Sequence, residues 1–312
     1  MNVIISAIED SGDIRVFELR APAGQFLPAY QAGAHIDVTL GNGLVRQYSL
    51  CCQHPGPHSY RIAVKREPQS RGGSAWLHSQ PQVGDTLGIG NPRQAFGLAH
   101  GAQRHLLLAG GIGITPILSM AYALLQREED FSLDYFVRDD AAIAFAAELA
   151  VPPLVAHVRI HSGLSPSQSA AVIETAIGAA VGNAHVYSCG PAPFMAAVAT
   201  LGAARLGTTA VHQESFGASA ASGGDTAFVV RLKSGREIAV AADRTALSCL
   251  QEAGVEVACS CEVGVCGSCQ TAVLDGEPEH RDSFLSDAEK AANRHFMPCV
   301  SRARSRVLVL DL

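Results

Sequence analysis

The chain has 312 residues, of which 48% are hydrophobic and 17% charged, a composition typical of folded globular domains and not of a disordered chain. Its length exceeds that of one ordinary domain and predicts two or three compact units. A net charge of -6 without any basic run argues against nucleic acid or an anionic membrane as a partner.

The start of the chain has no basic segment before a long apolar stretch, so we expect no signal peptide and a cytoplasmic protein. The nine cysteines are an odd number, and four of them lie within residues 259–269. In a chain without an export signal, clustered thiols indicate metal ligands or redox groups before they indicate disulfides.

Residues 1–102 contain short β-type runs separated by Gly, Pro and His, which predict the antiparallel strands of a small β-barrel domain. In RQYSL, residues 46–50, the strand period places Arg46 and Tyr48 on one face. The pair offers a guanidinium for a phosphate and a ring for a planar heterocycle, although an ordinary half-buried strand fits as well. RGGSAWLH, residues 71–78, adds a glycine turn with Ser74 at a helix start, which is either an anion site or a simple cap.

Residues 103–216 alternate strands with helical segments, which predicts an α/β domain with a parallel sheet. One uncharged run, residues 106–126, is long enough to span a membrane, but its glycines and Pro116 favour a strand, a turn and a helix of a soluble βα unit. Its turn, AGGIGITP at 109–116, would suit a dinucleotide or form any tight βα turn. YSCGP, residues 187–191, again joins a strand to a helix, where open α/β sheets bind ligands.

Residues 217–224, GASAASGG, are small and uncharged and predict a flexible linker. A third domain, residues 225–312, follows it. TAFVVRLKSGREIAV at its start indicates two strands that turn at Ser234 and Gly235, and ALSCLQEAG indicates a short helix ended by Gly254.

Cys261, Cys266 and Cys269 have the C-x4-C-x2-C spacing of plant-type iron-sulfur ferredoxins, and Cys299 supplies a later fourth cysteine. Glycines in the loop let the backbone approach the cluster sulfides with its N–H groups. The alternative is a tetrahedral zinc site, but zinc ribbons have two C-x-x-C pairs and this segment has one. Cys259 lies outside the spacing and is expected to be a small buried residue.

Taken in order, RQYSL, GGS, GGIGITP, YSCGPAPFM, HQESF and the terminal cysteines resemble the phthalate dioxygenase reductase family, which includes the vanillate O-demethylase reductase components. The resemblance covers essentially the whole chain. It implies a ferredoxin-reductase-like antiparallel β-barrel flavin domain, a parallel-sheet nicotinamide domain and an α+β (β-grasp) 2Fe-2S ferredoxin domain.

By this resemblance, electrons pass from NADH through FMN and the 2Fe-2S cluster to a Rieske-type oxygenase partner that docks transiently near the cluster. A flavin converts the two-electron transfer from NADH into single-electron transfers, so no protein nucleophile is required. The reductase is expected to be a monomer. Two alternatives stay open: another acceptor, such as a different monooxygenase or a separate ferredoxin, and a non-enzymatic iron-sulfur carrier or sensor.

The resemblance also implies roles for individual residues. The residues expected where hydride crosses are Ser49, Thr115, Cys189, Glu214 and Phe216. Those expected to hold the flavin are Arg46, Tyr48, Ser49, Ala63, Lys65, Gly73 and Ser74. Those expected to hold the nicotinamide nucleotide are Gly111, Gly113, Thr115, Pro116, Arg138, Asp139, Cys189, Gly190, Pro191, Met195 and Phe216. The expected cluster ligands are Cys261, Cys266, Cys269 and Cys299.

The strand end YFVRDD bears on the choice of nicotinamide nucleotide. Asp139 stands where the family often has serine, and a carboxylate accepts hydrogen bonds from a free ribose 2′-hydroxyl but repels a 2′-phosphate. The sequence therefore predicts a preference for NADH. Alternatively, Asp139 and Asp140 only cap the helix that follows.

Overall fold

A computed structural model describes the whole chain except residues 52–57, 69, 71, 95, 217–224, 260–261, 263, 265–266 and 283. The chain divides into two compact units, Met1–Phe216 and Gly217–Leu312. Among the described residues, no helix combines the length and apolar character needed to cross a membrane. The uncharged run at 106–126 is instead a strand, a turn and a helix, as its glycines predicted.

The first unit opens with a seven-stranded antiparallel sheet. Its strands and one helix are β1 Asn2–Ser11, β2 Ile14–Arg20, β3 Ala34–Thr39, β4 Val45–Ser49, β5 Ser59–Lys65, α1 Gly73–Ser79, β6 Thr86–Ile89 and β7 Arg93–Gln94. The order is β4-β3-β6-β1-β2-β5, with β7 paired to β3. Alternate residues such as Tyr60, Ile62 and Val64 of β5 fill an apolar core, as the period of a half-buried strand requires. Among the described strands no ladder joins β4 to β5, so the predicted closed barrel is seen here as a sheet.

The second part of this unit is a five-stranded parallel sheet of order β10-β9-β8-β11-β12. Its elements are β8 Arg104–Gly110, α2 Ile114–Gln126, β9 Phe131–Val137, α3 Ala146–Leu149, β10 Val158–Ser162, α4 Pro166–Gly178, β11 Ala184–Cys189, α5 Ala192–Leu206 and β12 Val211–Glu214. All seven residues of β9 are buried, as central strands of a parallel sheet covered on both faces are, and its one charged residue, Asp134, is paired with Arg159 of β10. One apolar cluster joins α2 to this sheet and includes Val16 and Ala63 of the antiparallel sheet, and a second cluster lies under α4 and α5.

The alanine-rich residues 141–150, which follow β9 and have the composition of a helical segment, form much less helix than that composition predicts. A short 3-10 turn, Asp140–Ala142, and the four residues of α3 take its place. Phe145 interrupts the helix because it adopts a left-handed φ of 59°. The N–H of Ala144 donates to the Tyr135 hydroxyl (3.2 Å) and makes no helical bond.

The second unit contains a five-stranded mixed sheet, a two-stranded ladder and two short helices. Its elements are β13 Phe228–Leu232, β14 Glu237–Val240, α6 Ala246–Glu252, β15 Thr271–Asp275, β16 Pro278–Glu279, α7 Asp287–Ala292, β17 His295–Phe296, β18 Arg302–Ala303 and β19 Val307–Leu310. The predicted hairpin and helix at its start are present, and Gly254 ends α6 with a φ of 75°. The sheet order is β14-β13-β19-β15-β17, in which β13 and β19 are parallel.

Candidate functional site

Two glycine turns meet at the carboxyl ends of the neighbouring parallel strands β8 and β11. A Cβ at Gly113 would lie 2.1 Å from the carbonyl oxygen of Cys189, and one at Gly190 would lie 3.0 Å from the Cα of Gly110. Only glycine allows the two turns to approach so closely. Gly111, with a φ of 54°, has no neighbouring atom within 4 Å of its Cβ position. The turns thus combine tight mutual packing with open backbone on one side, which suits the approach of a dinucleotide.

Ser49 and Glu214 join the two sheets of the first unit beside these turns. Ser49 is the last residue of β4, and its hydroxyl donates to Glu214 Oε2 at 3.3 Å. Glu214 is the last residue of β12 and lies in register with Cys189, the last residue of β11. Three of the five side chains expected at the hydride site therefore come together at the carboxyl edge of the parallel sheet.

The environment of this group changes its acid–base behaviour. Burial raises the pKa of Glu214 to about 7, and the hydrogen bond from Ser49 opposes that rise. Burial also raises the pKa of the Cys189 thiol well above its ordinary value, and the adjacent Glu214 adds to the effect. The thiol is therefore neutral at physiological pH, whereas the Glu214 carboxyl is able to hold or release a proton there.

The other two residues expected at the hydride site have different surroundings. Thr115 is buried near the start of α2, where its hydroxyl donates to the Ile112 carbonyl at 3.1 Å. Phe216 is 44% exposed and is the last described residue of the first unit. Pro116 and Met195 are buried near the starts of α2 and α5, and Pro191 caps α5.

Arg46 lies across the start of α1. A Cβ at Gly73 would be 2.9 Å from Arg46 Cγ, so the glycine makes room for the arginine side chain. One N–H of the guanidinium donates to the Val45 carbonyl (2.8 Å) out of its five donors. The preceding Gly72 has a left-handed φ of 94° that opens the helix. A guanidinium held beside a glycine turn has the donor chemistry that a phosphate requires.

The remaining residues expected around the flavin are placed by β4, β5 and α1. Tyr48 is half-buried, and burial raises the pKa of its hydroxyl. Ala63 is buried in the apolar cluster between the two sheets, whereas Lys65 pairs with Glu67 at 3.2 Å. The Ser74 hydroxyl accepts from the Glu67 N–H (3.1 Å), so it also braces the turn before α1.

Arg138 and Asp139 follow β9 at the carboxyl edge of the parallel sheet. Asp139 accepts the Ala142 N–H (3.1 Å) and is thus the cap that the alternative interpretation described. It also accepts from Arg138 Nε at 2.8 Å, and this bond holds the pKa of Asp139 below its usual value. The arginine and aspartate therefore form one exposed pair in place of two independent groups.

Two of the four cysteines expected to bind the cluster, Cys261 and Cys266, lie outside the described residues. The other two, Cys269 and Cys299, are buried with their sulfur atoms 3.2 Å apart. Met297 lies beside them, its sulfur 3.9 Å from that of Cys269. The described residues contain no group of three metal-binding side chains. Two adjacent thiols in an apolar pocket have the soft sulfur chemistry that iron-sulfur clusters use.

Two glycines between Cys261 and Cys269 have conformations and neighbours that other residues could not accept. Gly264 has a φ of 77°, and a Cβ there would lie 2.6 Å from the Val300 side chain. Gly267 has a φ of 73°, and a Cβ there would overlap the Phe284 ring at 2.3 Å. The left-handed conformation and the lack of space both exclude other residues at these two positions.

Comparison with known proteins identifies the class of this site. Residues 230–304 match the family described as 2Fe-2S iron-sulfur cluster binding domain. The chain is 45% identical to the vanillate O-demethylase oxidoreductase of Pseudomonas sp. (strain HR199 / DSM 7063) over 100% of both chains. It is 42% identical to the phthalate dioxygenase reductase of Burkholderia cepacia over 96% of this chain and 93% of the relative. The chain belongs to the phthalate dioxygenase reductase family.

A solved structure of a phthalate dioxygenase reductase matches with a TM-score of 0.75 and 40% identity, covering 100% of this chain and 98% of the other. That reductase is described as a modular structure for electron transfer from pyridine nucleotides to a 2Fe-2S cluster. The predicted ferredoxin-reductase-like architecture with a C-terminal iron-sulfur domain is therefore confirmed. As a member of the phthalate dioxygenase reductase family, the protein is an oxidoreductase of an oxygenase system, and the predicted FMN, NADH and 2Fe-2S cluster are the cofactors of this class.

Sequence reasoning missed a set of contacts that surround the site. Gln213, next to Glu214, is tied to the Ser188 hydroxyl (2.9 Å) and the Met195 carbonyl (2.8 Å). Arg61 of β5 forms a bidentate ion pair with Glu148 of α3, with both bonds at 2.8 Å. These partners are far apart in the chain, and no local pattern marks them.

Proposed function

We propose that the protein is the NADH-dependent reductase component of a two-component Rieske-type oxygenase or demethylase. When bound, FMN would supply the conversion of a two-electron donor, NADH, into single electrons for the 2Fe-2S cluster and the oxygenase. The observation that carries this proposal is the meeting of Ser49, Cys189 and Glu214 beside two glycine turns, in a chain that also has an iron-sulfur domain.

The glycine turns position the nicotinamide nucleotide. Gly111 leaves backbone open to pyrophosphate at the carboxyl edge of the parallel sheet, and Gly113 and Gly190 let the two turns meet there. The walls are shaped by Pro116, Pro191 and Met195. Thr115 and Cys189, both buried and neutral, add small polar surface without a charge. Phe216, exposed at the end of the first unit, offers a ring face for a planar partner.

The flavin side is built by the antiparallel sheet. Arg46, Gly73 and Ser74 hold the FMN phosphate at the start of α1, which ends the ligand there and disfavours FAD. The flavin ring is lined by Tyr48 and Ser49 of β4 and by Ala63 and Lys65 of β5.

Ser49 and Glu214 hold a proton between the two sheets. The carboxyl of Glu214 is half ionised near pH 7 and is hydrogen-bonded to a hydroxyl. An ionised Glu214 places negative charge where a nicotinamide becomes positive as it loses hydride. The Ser49 hydroxyl stabilises that ionised form by donating to it.

The same proposal divides the chain into a flavin domain (1–102), a nicotinamide domain (103–216), a linker (217–224) and a ferredoxin domain (225–312). It includes closure of the antiparallel sheet into a barrel and a β-grasp fold for the last domain. Cys261, Cys266, Cys269 and Cys299 bind the cluster. The oxygenase docks transiently next to it, and the reductase acts as a monomer in the cytoplasm. Light scattering of the purified protein tests the oligomeric state.

The function is tested by anaerobic reduction of the purified protein. Mass spectrometry of the released flavin identifies FMN or FAD, and NADH should bleach both the flavin and the cluster absorbance. Oxygenase components that demethylate vanillate and that hydroxylate phthalate are then supplied in turn with NADH. Product formation supports an oxygenase reductase, whereas NADH oxidation with transfer only to a separate ferredoxin or another monooxygenase supports the alternative acceptor. A protein that binds the cluster but does not oxidise NADH would support the alternative of a non-enzymatic iron-sulfur carrier or sensor.

A further inference from the structure

The two sheets of the first unit carry different parts of the candidate site. Ser49 comes from the antiparallel sheet, whereas Cys189 and Glu214 come from the parallel sheet. The apolar cluster between the sheets is large but non-directional, because hydrophobic burial is proportional to area and tolerates small displacements. Hydride transfer is sensitive to displacements of about 1 Å. A directional contact between the sheets is therefore valuable for this reaction.

Arg61 provides such a contact. It lies on β5, whose Tyr60, Ile62 and Val64 face the core of the antiparallel sheet, so that Arg61 and Ala63 face the parallel-sheet part. Its guanidinium donates to both carboxylate oxygens of Glu148 at 2.8 Å. Bidentate pairing fixes the distance and the relative orientation of the two groups, which a single hydrogen bond does not.

The same guanidinium holds the end of β4. It donates to the carbonyl of Cys51 from Nε (3.1 Å) and from Nη2 (2.6 Å), and the Cys51 N–H in turn donates to the Arg61 carbonyl (2.9 Å). Cys51 is buried and lies two residues after Ser49. The arginine therefore fixes the backbone that carries Ser49.

Glu148 extends the contact into the nicotinamide side. Its carboxylate accepts from the hydroxyl of Tyr122, a buried residue of α2, the helix that starts at the glycine turn with Thr115. The Arg61 guanidinium also lies 4.9 Å from the centre of the Phe145 ring, at the start of α3. The arginine and glutamate side chains are only 18% and 23% exposed, so solvent screens them less than a surface pair.

We propose that Arg61, Glu148 and Tyr122 form a positioning clamp that sets the placement of Ser49 relative to Cys189 and Glu214 for hydride transfer. The clamp touches no reacting atom and acts through the backbone at Cys51 and through α2. This inference rests on the proposed function. It assigns a positioning role, and no part in the chemistry, to three residues that lie outside the candidate site.

The test compares Arg61→Lys, which keeps the charge but loses the planar fork, with Arg15→Lys in the full-length flavin-loaded protein. Arg15 is a matched control because it is 19% exposed, forms a bidentate pair with Asp10 and donates to the His78 carbonyl, all within the antiparallel-sheet part. Stopped-flow reduction by NADH under anaerobic conditions gives the limiting rate and the apparent NADH dissociation constant separately.

We expect Arg61→Lys to lower the limiting rate by about 10- to 100-fold, while the apparent dissociation constant and the flavin content change less than about 2-fold. The primary isotope effect with NADH deuterated at the transferred position should be fully expressed, and the charge-transfer absorbance between nicotinamide and flavin should weaken. Arg15→Lys should lower the rate by less than about 2-fold, whatever it costs in stability.

A second readout does not depend on the loaded enzyme. Hydrogen–deuterium exchange of flavin-free protein should quicken at residues 49–51 and 146–149 in Arg61→Lys and stay unchanged there in Arg15→Lys. Glu148→Gln and Tyr122→Phe keep the side-chain volume and carry the same test if Arg61→Lys loses its flavin. Because the three residues act as one unit, Arg61→Lys combined with Glu148→Gln should be no slower than the slower single variant.

The outcomes separate this inference from the proposed function. Wild-type limiting rates and charge-transfer absorbance in Arg61→Lys, Glu148→Gln and Tyr122→Phe would show that the contact is merely structural. Equal losses in Arg61→Lys and Arg15→Lys would overturn the clamp as well. An unmodified protein that fails to oxidise NADH would instead overturn the proposed function.

Discussion

A carboxyl that is kept half ionised at neutral pH is unusual, and Glu214 owes this state to its position between two sheets. Burial raises its pKa from 4.5 to about 7 because the charged form loses solvation. Between these two pH values the folded chain holds a proton that the unfolded chain has released. The contribution of Glu214 to the free energy of unfolding therefore falls as the pH rises from 4.5 to about 7 and stays constant above that.

This titration predicts the pH dependence of hydride transfer. The limiting rate of flavin reduction by NADH should rise as the pH increases through about 7, because the ionised Glu214 stabilises positive charge on the nicotinamide. Glu214→Gln should be about 10-fold slower at high pH and should lose this pH dependence. Stopped-flow absorbance in buffers of constant ionic strength measures both.

Ser49→Ala supplies a matched test, because the Ser49 hydrogen bond lowers the pKa of Glu214. Its loss should move the midpoint of the pH profile upward without removing the profile. Glu237→Gln, at an exposed position of β14 in the other unit, serves as a control and should keep the pH profile of the unmodified protein. A pH profile in Glu214→Gln that matches that of the unmodified protein would assign the titration to another group.

Asp139 is expected to favour NADH over NADPH, because its carboxylate pairs with Arg138 and keeps that guanidinium from a 2′-phosphate. Asp139→Ser keeps an oxygen that can cap the following turn but removes the carboxylate that occupies Arg138. The released guanidinium, 79% exposed, can then pair with a 2′-phosphate. We expect kcat/KM for NADPH to rise about 10-fold, with a smaller loss for NADH.

Asp140→Ser removes the same charge one position along the chain and is the control for this change. It should leave the ratio of the two specificity constants nearly unchanged. Steady-state kinetics with a one-electron acceptor gives both constants. The hypothesis fails if the unmodified protein uses the two nucleotides equally, or if both variants gain equally, since net charge would then explain the effect.

At the scale of the elements, the turn between β8 and α2 is held by its contact with the end of β11. Gly113→Ala forces a Cβ to within 2.1 Å of the Cys189 carbonyl, so the two turns must separate. Overpacking of this kind costs about 2–3 kcal/mol. In a unit of this size that should lower the midpoint of thermal flavin release by roughly 5–10 °C.

Gly178→Ala is the matched control for this prediction. Gly178 ends α4, and apart from its chain neighbours and its own helix backbone no atom lies within 4 Å of its Cβ position. Alanine favours a helix over glycine by about 0.5–1 kcal/mol, so the midpoint should stay constant or rise slightly. A Gly113→Ala protein with an unchanged midpoint and flavin reduction rate would show that the turns tolerate separation.

The sequence was a good guide to elements that follow one period, and a poor one where distant partners intervene. Strands β2 to β5 of the antiparallel sheet and the βα units at β8 and β11 were predicted from local patterns. Strand β10 was missed because Arg159 and His161 make it look polar, yet both donate to the buried Asp134 of β9 (2.7–2.8 Å). Only the paired strand explains how these residues fit a sheet.

The candidate site shows the same division. Short motifs singled out the glycine turns, Arg46 and the cysteines, because each lies in a run of a few adjacent residues with a recognisable pattern. The Ser49–Glu214 hydrogen bond joins residues 165 positions apart, and Arg61–Glu148 joins residues 87 positions apart. Family resemblance marked the first pair, and no pattern marked the second. Contacts at such separations depend on the assembled fold and not on local sequence.

At the scale of the whole molecule, the residues proposed for flavin and nicotinamide lie in Met1–Phe216, whereas the four cysteines proposed as cluster ligands lie in the other unit. Each unit has its own apolar core. Substitutions in separate, independently packed units have nearly additive effects. Loss of the cluster should therefore leave reduction of the flavin by NADH intact and remove only electron transfer through the cluster to the final acceptor.

This separation gives a prediction for the cluster ligands. Cys269→Ala should abolish the cluster's visible absorbance and electron paramagnetic signal, since a thiolate ligand is lost. The protein should retain its flavin and should still reduce ferricyanide with NADH at the rate of the unmodified protein. Reduction of cytochrome c and turnover with an oxygenase component should fall by at least about 100-fold, because both require electrons from the cluster.

Cys249→Ala is the control, since Cys249 is also buried but packs in the apolar core around α6. It should cost about 1 kcal/mol of stability and keep the cluster. The same loss of signal is expected from alanine at Cys261, Cys266 and Cys299, and full retention in any one variant would remove that residue from the ligand set. Metal analysis could instead find that the unmodified protein contains zinc and no iron, with the zinc lost in all four alanine variants. That result would favour a structural zinc site, which could not pass electrons to any partner.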